Sequence, residues 1–294
     1  MSSIQYLRPA NVADACELLA THGSESQVIA GGVALIPALK LGKNRASCLI
    51  DISKALGPGS ITREQDYVRV GASATLRAIG QSPVIQALFP IITDMERALY
   101  DVQTRNRGTI GGNLCYAGRS GEVAPVLAVL GAQLEIASSR GVRIIHVADF
   151  FVSHRVSALA PDELLVAIRL PYPSPGTSGA YCKEARRADH SPIANVAVLI
   201  DYGAETVSIE RAVLVVGGIE DVPTRAKEAE ALLAGRAIDA ALVERASAMV
   251  ARQFCAAPGR GVPPAFIRKA LSLLSGKAIS LAIDRCRAKT KDPS

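Results

Sequence analysis

The sequence predicts an α+β fold made of two small α/β subdomains, followed by a three-stranded sheet with helices. Strand-like and helix-like runs alternate as β-α-β-α-β over about the first fifty residues. Mixed strands and helices continue to residue 170. A stretch rich in proline and glycine then precedes three consecutive strand-like runs and further helices. We therefore expect a first domain at 1–175, with subdomains at 1–55 and 56–175, a C-terminal α+β domain at 176–287, and a flexible tail at 288–294.

The first subdomain is predicted from local capping and periodicity signals. Asn11 is a suitable N-cap, and the apolar residues after it fall on one helical face until Gly23 ends the helix. Three strands and two helices are expected, in the order 4–7, 12–22, 27–30, 34–41 and 48–52. The central turn of this unit carries a glycine pair, Gly31-Gly32.

The second subdomain is predicted to begin with a hairpin over 61–72, because a polar turn separates two strand-like runs. Helices follow at 75–80 and 82–99, the second with Pro83 at an N1-like position. A loop at 105–113 precedes a helix at 123–131. Strands are expected at 133–137, 142–147 and 164–170.

The clearest linker covers residues 171–179, where three prolines and two glycines prevent regular structure. Beyond it, the pattern predicts a meander of strands at 180–187, 193–201 and 207–216, and helices over 225–254 and 264–285.

Composition excludes several classes of function. The chain of 294 residues is 49% hydrophobic, enough for two packed cores. Its formal charge of +6 is spread too widely for a nucleic-acid face, and aromatics at 4%, with no Trp, leave little material for base stacking. Neither a signal-peptide core nor an apolar run of membrane-spanning length is present. We expect no nucleic-acid partner, no membrane span and a cytoplasmic location.

The cysteines and histidines predict no metal site on this chain. Six cysteines are scattered without a CxxC, which argues against a disulfide framework, a zinc site and an iron–sulfur cluster held by this chain alone. The four histidines are not paired at ligand spacing, so we expect them to be structural or surface residues. No residue is assigned a catalytic role from the sequence.

Two glycine-rich segments, which we name the first glycine segment (residues 28–35) and the second glycine segment (residues 105–113), are the candidate ligand site. Adjacent glycines let the backbone approach a ligand closely and direct successive N–H groups into one concavity, as in phosphate nests. A Gly-Gly pair is more often a plain turn, but here each pair stands between a strand-like and a helix-like run. Neither segment matches GxxxxGK[ST] or GxGxxG, which argues against a P-loop and a Rossmann site. Two segments about eighty residues apart in the chain suit an extended diphosphate ligand better than a single phosphate.

The whole chain resembles the FAD-binding medium subunit of the molybdenum hydroxylases, the family of carbon monoxide, nicotine and xanthine dehydrogenases. The specific motif is the second glycine segment, Arg105-Asn-Arg-Gly-Thr-Ile-Gly-Gly-Asn113. Supporting motifs are Ala30-Gly31-Gly32-x-x-Leu35-x-Pro37-x-x-Lys40, Leu49-Ile50-Asp51-Ile52, Asp162-Glu-Leu-Leu165, Lys183-x-x-Arg186-Arg187-x-Asp189 and Phe266-Ile-Arg-Lys-Ala-Leu271.

The resemblance implies a vanillyl-alcohol-oxidase-type (PCMH-type) FAD domain in which both glycine segments donate backbone N–H groups to the pyrophosphate of FAD. It also implies a carboxylate contact at Glu122, an apolar flavin contact at Leu165 and a cation near the flavin at Lys183. A cation there would stabilise the charge of the reduced flavin. The residues expected to bind the cofactor are Val28, Ile29, Ala30, Gly31, Gly32, Val33, Ala34, Leu35, Thr109, Ile110, Gly111, Gly112, Asn113, Glu122, Leu165 and Lys183.

Two departures from the family pattern bear on these contacts. Ala34 stands where the family usually has Ser or Thr, which removes a hydroxyl donor worth roughly 1 kcal/mol. Gly118-Arg119-Ser120-Gly121-Glu122 replaces a Ser-Pro-x-Ser-Asp-like run, which lengthens the acid by one methylene and adds an arginine. Arg105 and Arg107 are equally well interpreted as solvated surface charges, and Lys183, Arg186 and Arg187 as one charged strand face.

The implied function is that of an electron-transfer subunit. The resemblance places a molybdenum cofactor on a large subunit and two [2Fe–2S] clusters on a small subunit, with FAD on this chain passing electrons to NAD or another acceptor. It implies a dimer of heterotrimers. The alternatives are a free-standing FAD-dependent oxidase or reductase of the same fold and, from another class, a non-enzymatic nucleotide- or RNA-binding protein whose glycine segments hold a phosphate.

Overall fold

The computed structural model describes residues 4–44, 46–99, 101–187, 191–203, 208–254 and 262–291. The chain forms two compact units that interleave in sequence. The first comprises Met1–Ile79, Asp101–Ala117 and Gly131–Pro171. The second comprises Gly80–Tyr100, Gly118–Leu130 and Tyr172–Ser294. The domain boundaries expected at 55/56 and 175/176 stay predictions.

The first unit begins with the predicted β-α-β-α-β segment. Its three strands form a parallel sheet in the order β1-β3-β2. Asn11 caps the first helix, because its side chain accepts a hydrogen bond from Asp14 N at 2.9 Å. The buried side chains of α1, which include Ala15, Cys16 and Leu19, pack on Cys48 and Ile50 of the sheet. The elements are β1 (Gln5–Leu7), α1 (Val12–His22), β2 (Ser26–Ile29), α2 (Leu35–Lys40), β3 (Cys48–Asp51) and α3 (Ser53–Leu56).

A second sheet of the first unit is antiparallel, with the order β4-β5-β10-β6-β7. Its strands are β4 (Ile61–Arg63), β5 (Tyr67–Gly71), β6 (Gln133–Ser138), β7 (Gly141–His146) and β10 (Leu164–Pro171). The expected hairpin is the β4-β5 pair. The register of β10 against β6 shifts between Leu165 and Ala167, which leaves Val166 at a bulge. A small hairpin consists of β8 (Phe151–Ser153) and β9 (Val156–Ser157).

The second glycine segment is not the loop that we expected. Helix α7 (Val102–Arg107) contains its arginines and helix α8 (Ile110–Tyr116) contains its glycines, so only Gly108 and Thr109 connect the two helices. Asp101 caps α7 by accepting from Gln103 N and Thr104 N, and Thr109 caps α8 by accepting from Gly112 N at 3.0 Å. Both caps follow the ordinary preference for Asp and Thr at that position.

The second unit contains the predicted meander. Strands β11 (Thr177–Glu184), β12 (Ala194–Gly203) and β13 (Ser208–Gly217) pair antiparallel in sequence order. Two short strands, β14 (Thr224–Arg225) and β15 (Arg236–Ala237), extend the sheet along β13. One face carries the side chains of Val196, Val198 and Leu214 into a core shared with the C-terminal helices.

The helices of the second unit are α5 (Pro83–Leu88), α6 (Pro90–Ala98), α9 (Val123–Val129), α10 (Lys227–Leu233), α11 (Ala240–Gln253) and α12 (Pro264–Lys291), and α4 (Leu76–Gln81) runs into this unit from the first. The single helix expected over 82–99 is wrong. It is two helices, because Pro90 lacks an N–H and the preceding Phe89 leaves the helical region at φ −131° and ψ 62°. Helix α12 extends to Lys291, into the segment expected as a tail, and the flexibility expected of 288–294 stays a prediction.

The free edge of β11 is covered by side chains of its own unit. Lys289 Nζ donates to Thr177 O at 2.9 Å, Arg285 Nη1 donates to Gly179 O at 2.7 Å, and Tyr181 N donates to the carboxylate of Asp94 at 3.3 Å. An exposed strand edge is a template for unwanted pairing, so these three bonds protect it. No helix within the described part of the chain has the length and apolar character needed to cross a membrane.

Candidate functional site

The two glycine segments meet through Gly31. A Cβ built on Gly31 would stand 1.8 Å from the carbonyl oxygen of Arg107 and 3.4 Å from Gly108 Cα. No side chain fits in that space, so glycine is required for the two backbones to approach. The first unit therefore brings together the two segments that the sequence analysis selected.

The first glycine segment presents backbone donors that its own helix does not use. Ile36 N donates to Gly32 O at 3.0 Å, so the first helical turn starts at Gly32, which has a left-handed φ of 73°. The N–H groups of Val33, Ala34 and Leu35 lie in that first turn, where no carbonyl of the same helix accepts from them. Val33 and Ala34 are exposed. The segment thus offers three adjacent donors, two of them on exposed residues and the third on the half-buried Leu35.

Ala34 is the residue directly before α2, and it makes no side-chain cap. Ala34 has no hydroxyl, so the turn depends on its backbone donors alone.

The second glycine segment uses its backbone donors internally. Ile110 N donates to Ala74 O at 3.0 Å, Gly111 N donates to Ala72 O at 2.9 Å, and Asn113 N donates to Thr109 O at 2.9 Å. Gly112 N is held by Thr109 Oγ1. Each amide of residues 110–113 therefore already has an acceptor within the protein, and the expectation that this segment donates N–H groups to a diphosphate stays a prediction.

The second segment instead supplies close backbone approach. A Cβ on Gly111 would meet Ala72 Cβ at 2.7 Å, whereas a Cβ on Gly112 would meet only Thr109 Oγ1, at 2.8 Å. Gly112 is exposed and Asn113 is half-buried. Gly111 therefore serves packing, while Gly112 leaves the outer surface of α8 open to a ligand.

Leu165 lies in β10 with 2% of its surface exposed. The bulge next to it directs Val166 O to Ala72 N at 2.9 Å, and Ala72 O in turn accepts from Gly111 N. Leu165 is thus held in the strand that supports the second glycine segment. Its predicted contact with the flavin stays a prediction.

A polar cluster at the carboxyl edge of the parallel sheet was missed by the sequence analysis. Asp51 ends β3 beside Ile29, the last residue of β2 before the first glycine segment. Its carboxylate accepts from the Tyr6 hydroxyl and from Ser53 N at 2.9 Å, and Arg8 Nε lies 3.6 Å away. Burial acts to raise the pKa of Asp51, but these hydrogen bonds and Arg8 lower it overall. The only sequence signal was the Leu-Ile-Asp-Ile motif.

Glu122 and Lys183 form an ion pair in the second unit. Lys183 Nζ lies 3.4 Å from Glu122 Oε1, and the two side chains are only 11% and 10% exposed. Burial raises the pKa of Glu122, although the charge of Lys183 opposes that shift. The structure thus pairs the carboxylate and the cation that the sequence analysis selected separately.

The segment before Glu122 is also fixed within this unit. Arg119 forms an ion pair with Asp221, and its carbonyl accepts from Gly218 N at 3.1 Å. Arg119 is therefore engaged by a carboxylate of its own unit.

The other arginines named in the sequence motifs differ in solvent exposure. Arg105 is half-buried, and Arg107, Arg186 and Arg187 are exposed. Asp189 and His190 lie outside the described residues. Over the described ranges, no three His, Cys, Asp or Glu side chains converge as metal ligands.

The two glycine segments of the first unit have features suited to an extended anion such as the diphosphate of FAD. They combine a glycine at which no Cβ is tolerated, three adjacent N–H groups in a first helical turn, and an exposed glycine near the start of α8. These are the features of a backbone nest for an extended anion.

Comparison with known proteins identifies the family of the chain. Residues 2–173 match the family model described as the FAD binding domain in molybdopterin dehydrogenase, and residues 179–280 match that of the CO dehydrogenase flavoprotein C-terminal domain. The nicotine 6-hydroxylase medium subunit of Paenarthrobacter nicotinovorans is 34% identical over 247 residues, which cover 84% of this chain and 86% of that protein. The carbon monoxide dehydrogenase medium chain of Afipia carboxidovorans is 32% identical over 292 residues, which cover 99% of each.

A solved structure of carbon monoxide dehydrogenase from Hydrogenophaga pseudoflava is similar with a TM-score of 0.90 at 26% identity, covering 96% of this chain and 98% of that one. The predicted fold, an FAD-binding domain followed by a C-terminal domain of sheet and helices, is confirmed. The chain belongs to the family of FAD-binding medium subunits of molybdenum hydroxylases and is an oxidoreductase subunit.

Proposed function

We propose that this chain is the electron-transfer subunit of a molybdenum hydroxylase. FAD bound to it supplies the redox chemistry that accepts electrons from [2Fe–2S] clusters of a partner subunit and passes them to NAD or another acceptor. The observation that carries the proposal is the close approach of Gly31 to the backbone of Arg107. Through it the two glycine segments lie side by side, where both can contact one FAD molecule.

In this proposal the N–H groups of Val33, Ala34 and Leu35 donate to the diphosphate of FAD. Backbone donors fixed in a helical turn bind an anion without reorganisation, which favours tight retention of the cofactor. The exposed backbone of Gly112 allows close approach, and the side-chain amide of Asn113 is available as a further donor. Contacts of FAD with Glu122, Leu165 and Lys183 are part of the proposal on the strength of the resemblance.

The proposed partners are a large molybdopterin subunit and a small [2Fe–2S] subunit, in a dimer of heterotrimers. Support comes from the relatives, which are named as medium subunits or chains. The similar solved structure is that of a carbon monoxide dehydrogenase lacking the Mo-pyranopterin moiety of its molybdenum cofactor, so that enzyme is a molybdenum enzyme. This chain supplies no clustered cysteines for iron–sulfur ligation in its sequence.

The experiment is isolation of the native complex, followed by assay of FAD, molybdenum, iron and acid-labile sulfide. The proposal expects all four, with FAD lost when Gly111 and Gly112 are both replaced by Val. An active, metal-free single chain would instead establish a free-standing flavoprotein. A chain that binds RNA or a mononucleotide but no FAD would establish the non-enzymatic alternative.

A further inference from the structure

Residues 118–122 of the second unit are held against the end of its sheet. Gly121 N closes a turn on Gly118 O at 2.8 Å, and Gly218 N donates to Arg119 O at 3.1 Å. The last residue of this segment is Glu122, directly before α9. The placement of the Glu122 carboxylate therefore depends on what fixes the peptide before it.

Asn195 fixes that peptide. Its side-chain Nδ2 donates to Gly121 O at 3.4 Å, and the residue is completely buried. Asn195 lies on the central strand β12, in register with Lys183 on β11 and with Gly217 on β13. Residues paired in this way point to the same face of a sheet, so Asn195 shares the face that carries Lys183.

Gly217 leaves the room that the Asn195 amide needs. A Cβ on Gly217 would stand 2.4 Å from Asn195 Oδ1 and 2.6 Å from Pro125 Cγ. A larger residue would therefore displace either the amide or the first turn of α9. Gly217 and Asn195 therefore act together: the glycine leaves space for the amide, and the amide holds Gly121.

The ion pair next to it depends on accurate placement. Lys183 Nζ and Glu122 Oε1 are separated by 3.4 Å, and only 11% and 10% of the two side chains is exposed. A buried carboxylate and ammonium are stabilised only when they meet in good geometry, because each has lost its water. Movement of Gly121 would displace the carboxylate through one peptide bond.

We propose that Asn195 is a positioning residue, whose amide holds the Gly121 carbonyl and so places the Glu122 carboxylate on Lys183. Gly217 is required for this because it accommodates the amide. Its meaning for the cofactor rests on the proposed function, in which Glu122 and Lys183 contact FAD.

The test is a mutant cycle on the unfolding of the full chain in urea. Glu122→Gln, Lys183→Met and the double variant give the coupling between the two charges, first with Asn195 present and then in the Asn195→Ala background. With Asn195 present, we expect the unfolding equilibrium constants to depart from additivity by about tenfold. In the Asn195→Ala background the departure falls to about twofold or less.

The matched control is Val198→Ala, a buried change elsewhere on the same strand, in the core shared with the C-terminal helices. It lowers stability but leaves the coupling intact. Full coupling in the Asn195→Ala background would overturn the proposal. Since the cycle needs no FAD, its result is independent of whether the chain retains the cofactor.

Discussion

Gly31 lies against the main chain of Arg107, so closely that a Cβ on Gly31 would be 1.8 Å from the Arg107 carbonyl oxygen. This relationship joins a turn after the second strand to the end of a helix more than seventy residues later. The site in the first unit is therefore defined by backbone contact, and its integrity depends on the absence of one side chain.

Gly31→Ala is expected to eliminate FAD retention, because the new methyl group must push the Arg107 peptide away. The chain should lose about 3 kcal/mol or more of stability, at the upper end for overpacking. Gly42→Ala is the control, since Gly42 has a φ of 65° but no atom near its missing Cβ. That control should cost about 1 kcal/mol and keep FAD. Urea unfolding measures the stability of the two variants, and FAD content measures their retention of the cofactor. Equal FAD content in the two variants would argue against FAD binding where the two glycine segments meet.

Gly112→Ala tests whether a ligand approaches the exposed side of α8. The added methyl meets only Thr109 Oγ1 within the protein, so the fold should survive. Thr109→Ala removes the hydroxyl that caps α8 and adds no atom beside Gly112. It should lower the stability of the chain by about 1 kcal/mol. We expect Gly112→Ala to weaken FAD binding by roughly tenfold more than Thr109→Ala does, the effect of one lost close contact. Equal affinities, measured by titration with FAD, would place the ligand elsewhere.

The parallel sheet of the first unit and the meander of the second were predictable from sequence. Strand-like and helix-like runs alternate in the first, three consecutive strand-like runs follow the segment at 171–179 in the second, and Asn11 marks the first helix start. The residue types at 28–35 were sufficient to select the first glycine segment. The exposed backbone donors of Val33 and Ala34 follow from its position between β2 and α2.

The structure of the second glycine segment was harder to predict from sequence, because two short helices with polar residues and glycines have the composition of a loop. Asp101 and Thr109 are both standard N-caps, so the signal for α7 and α8 was present in the sequence. Engagement of the Gly111 amide by Ala72 O could not be foreseen, since it depends on a contact between distant residues. The same is true of Asp51 with Tyr6 and of Asn195 with Gly121, whose partners are far away in the chain.

Glu163 should give the chain an acid-sensitive contribution to stability. Its carboxylate accepts from Arg143 Nε and Nη2, both at 2.7 Å, and from Ala160 N at 2.8 Å. The hydrogen bonds from Arg143 lower the pKa of Glu163, although burial opposes them. A lowered folded pKa means that the contribution is present above the unfolded pKa and is lost as the pH falls through the folded value.

Glu163→Gln should therefore cost about 2 kcal/mol at neutral pH, as expected for hydrogen bonds to a charged group. The cost should shrink as the pH falls below the ordinary pKa of a glutamate and through the lowered folded value, because the wild-type carboxylate is then protonated. The neighbouring Asp162→Asn changes an exposed pair with Arg140 and should alter stability little. Urea unfolding across pH measures both variants, and a pH-independent cost for Glu163→Gln would contradict the prediction.

Arg285 should be important for the second unit, because its guanidinium binds both oxygens of Asp94 at 2.6 and 2.7 Å and also the carbonyl of Gly179. Arg285→Met leaves Asp94 without this partner and should cost about 3 kcal/mol. The double variant Asp94→Asn/Arg285→Met should cost less than the sum of the single changes, since no charge is then left alone. If the losses of unfolding free energy of the two single variants, measured in urea, add up to that of the double variant, the interaction between Asp94 and Arg285 contributes no stability.

The binding of FAD through the two glycine segments is tested most directly by the absorption spectrum of the gently purified full chain, with release and quantification of the cofactor. We predict a flavin spectrum with stoichiometric FAD in the wild type, and its loss in Gly31→Ala and in Gly111→Val/Gly112→Val. A colourless wild-type chain that takes up no FAD on reconstitution would contradict this assignment.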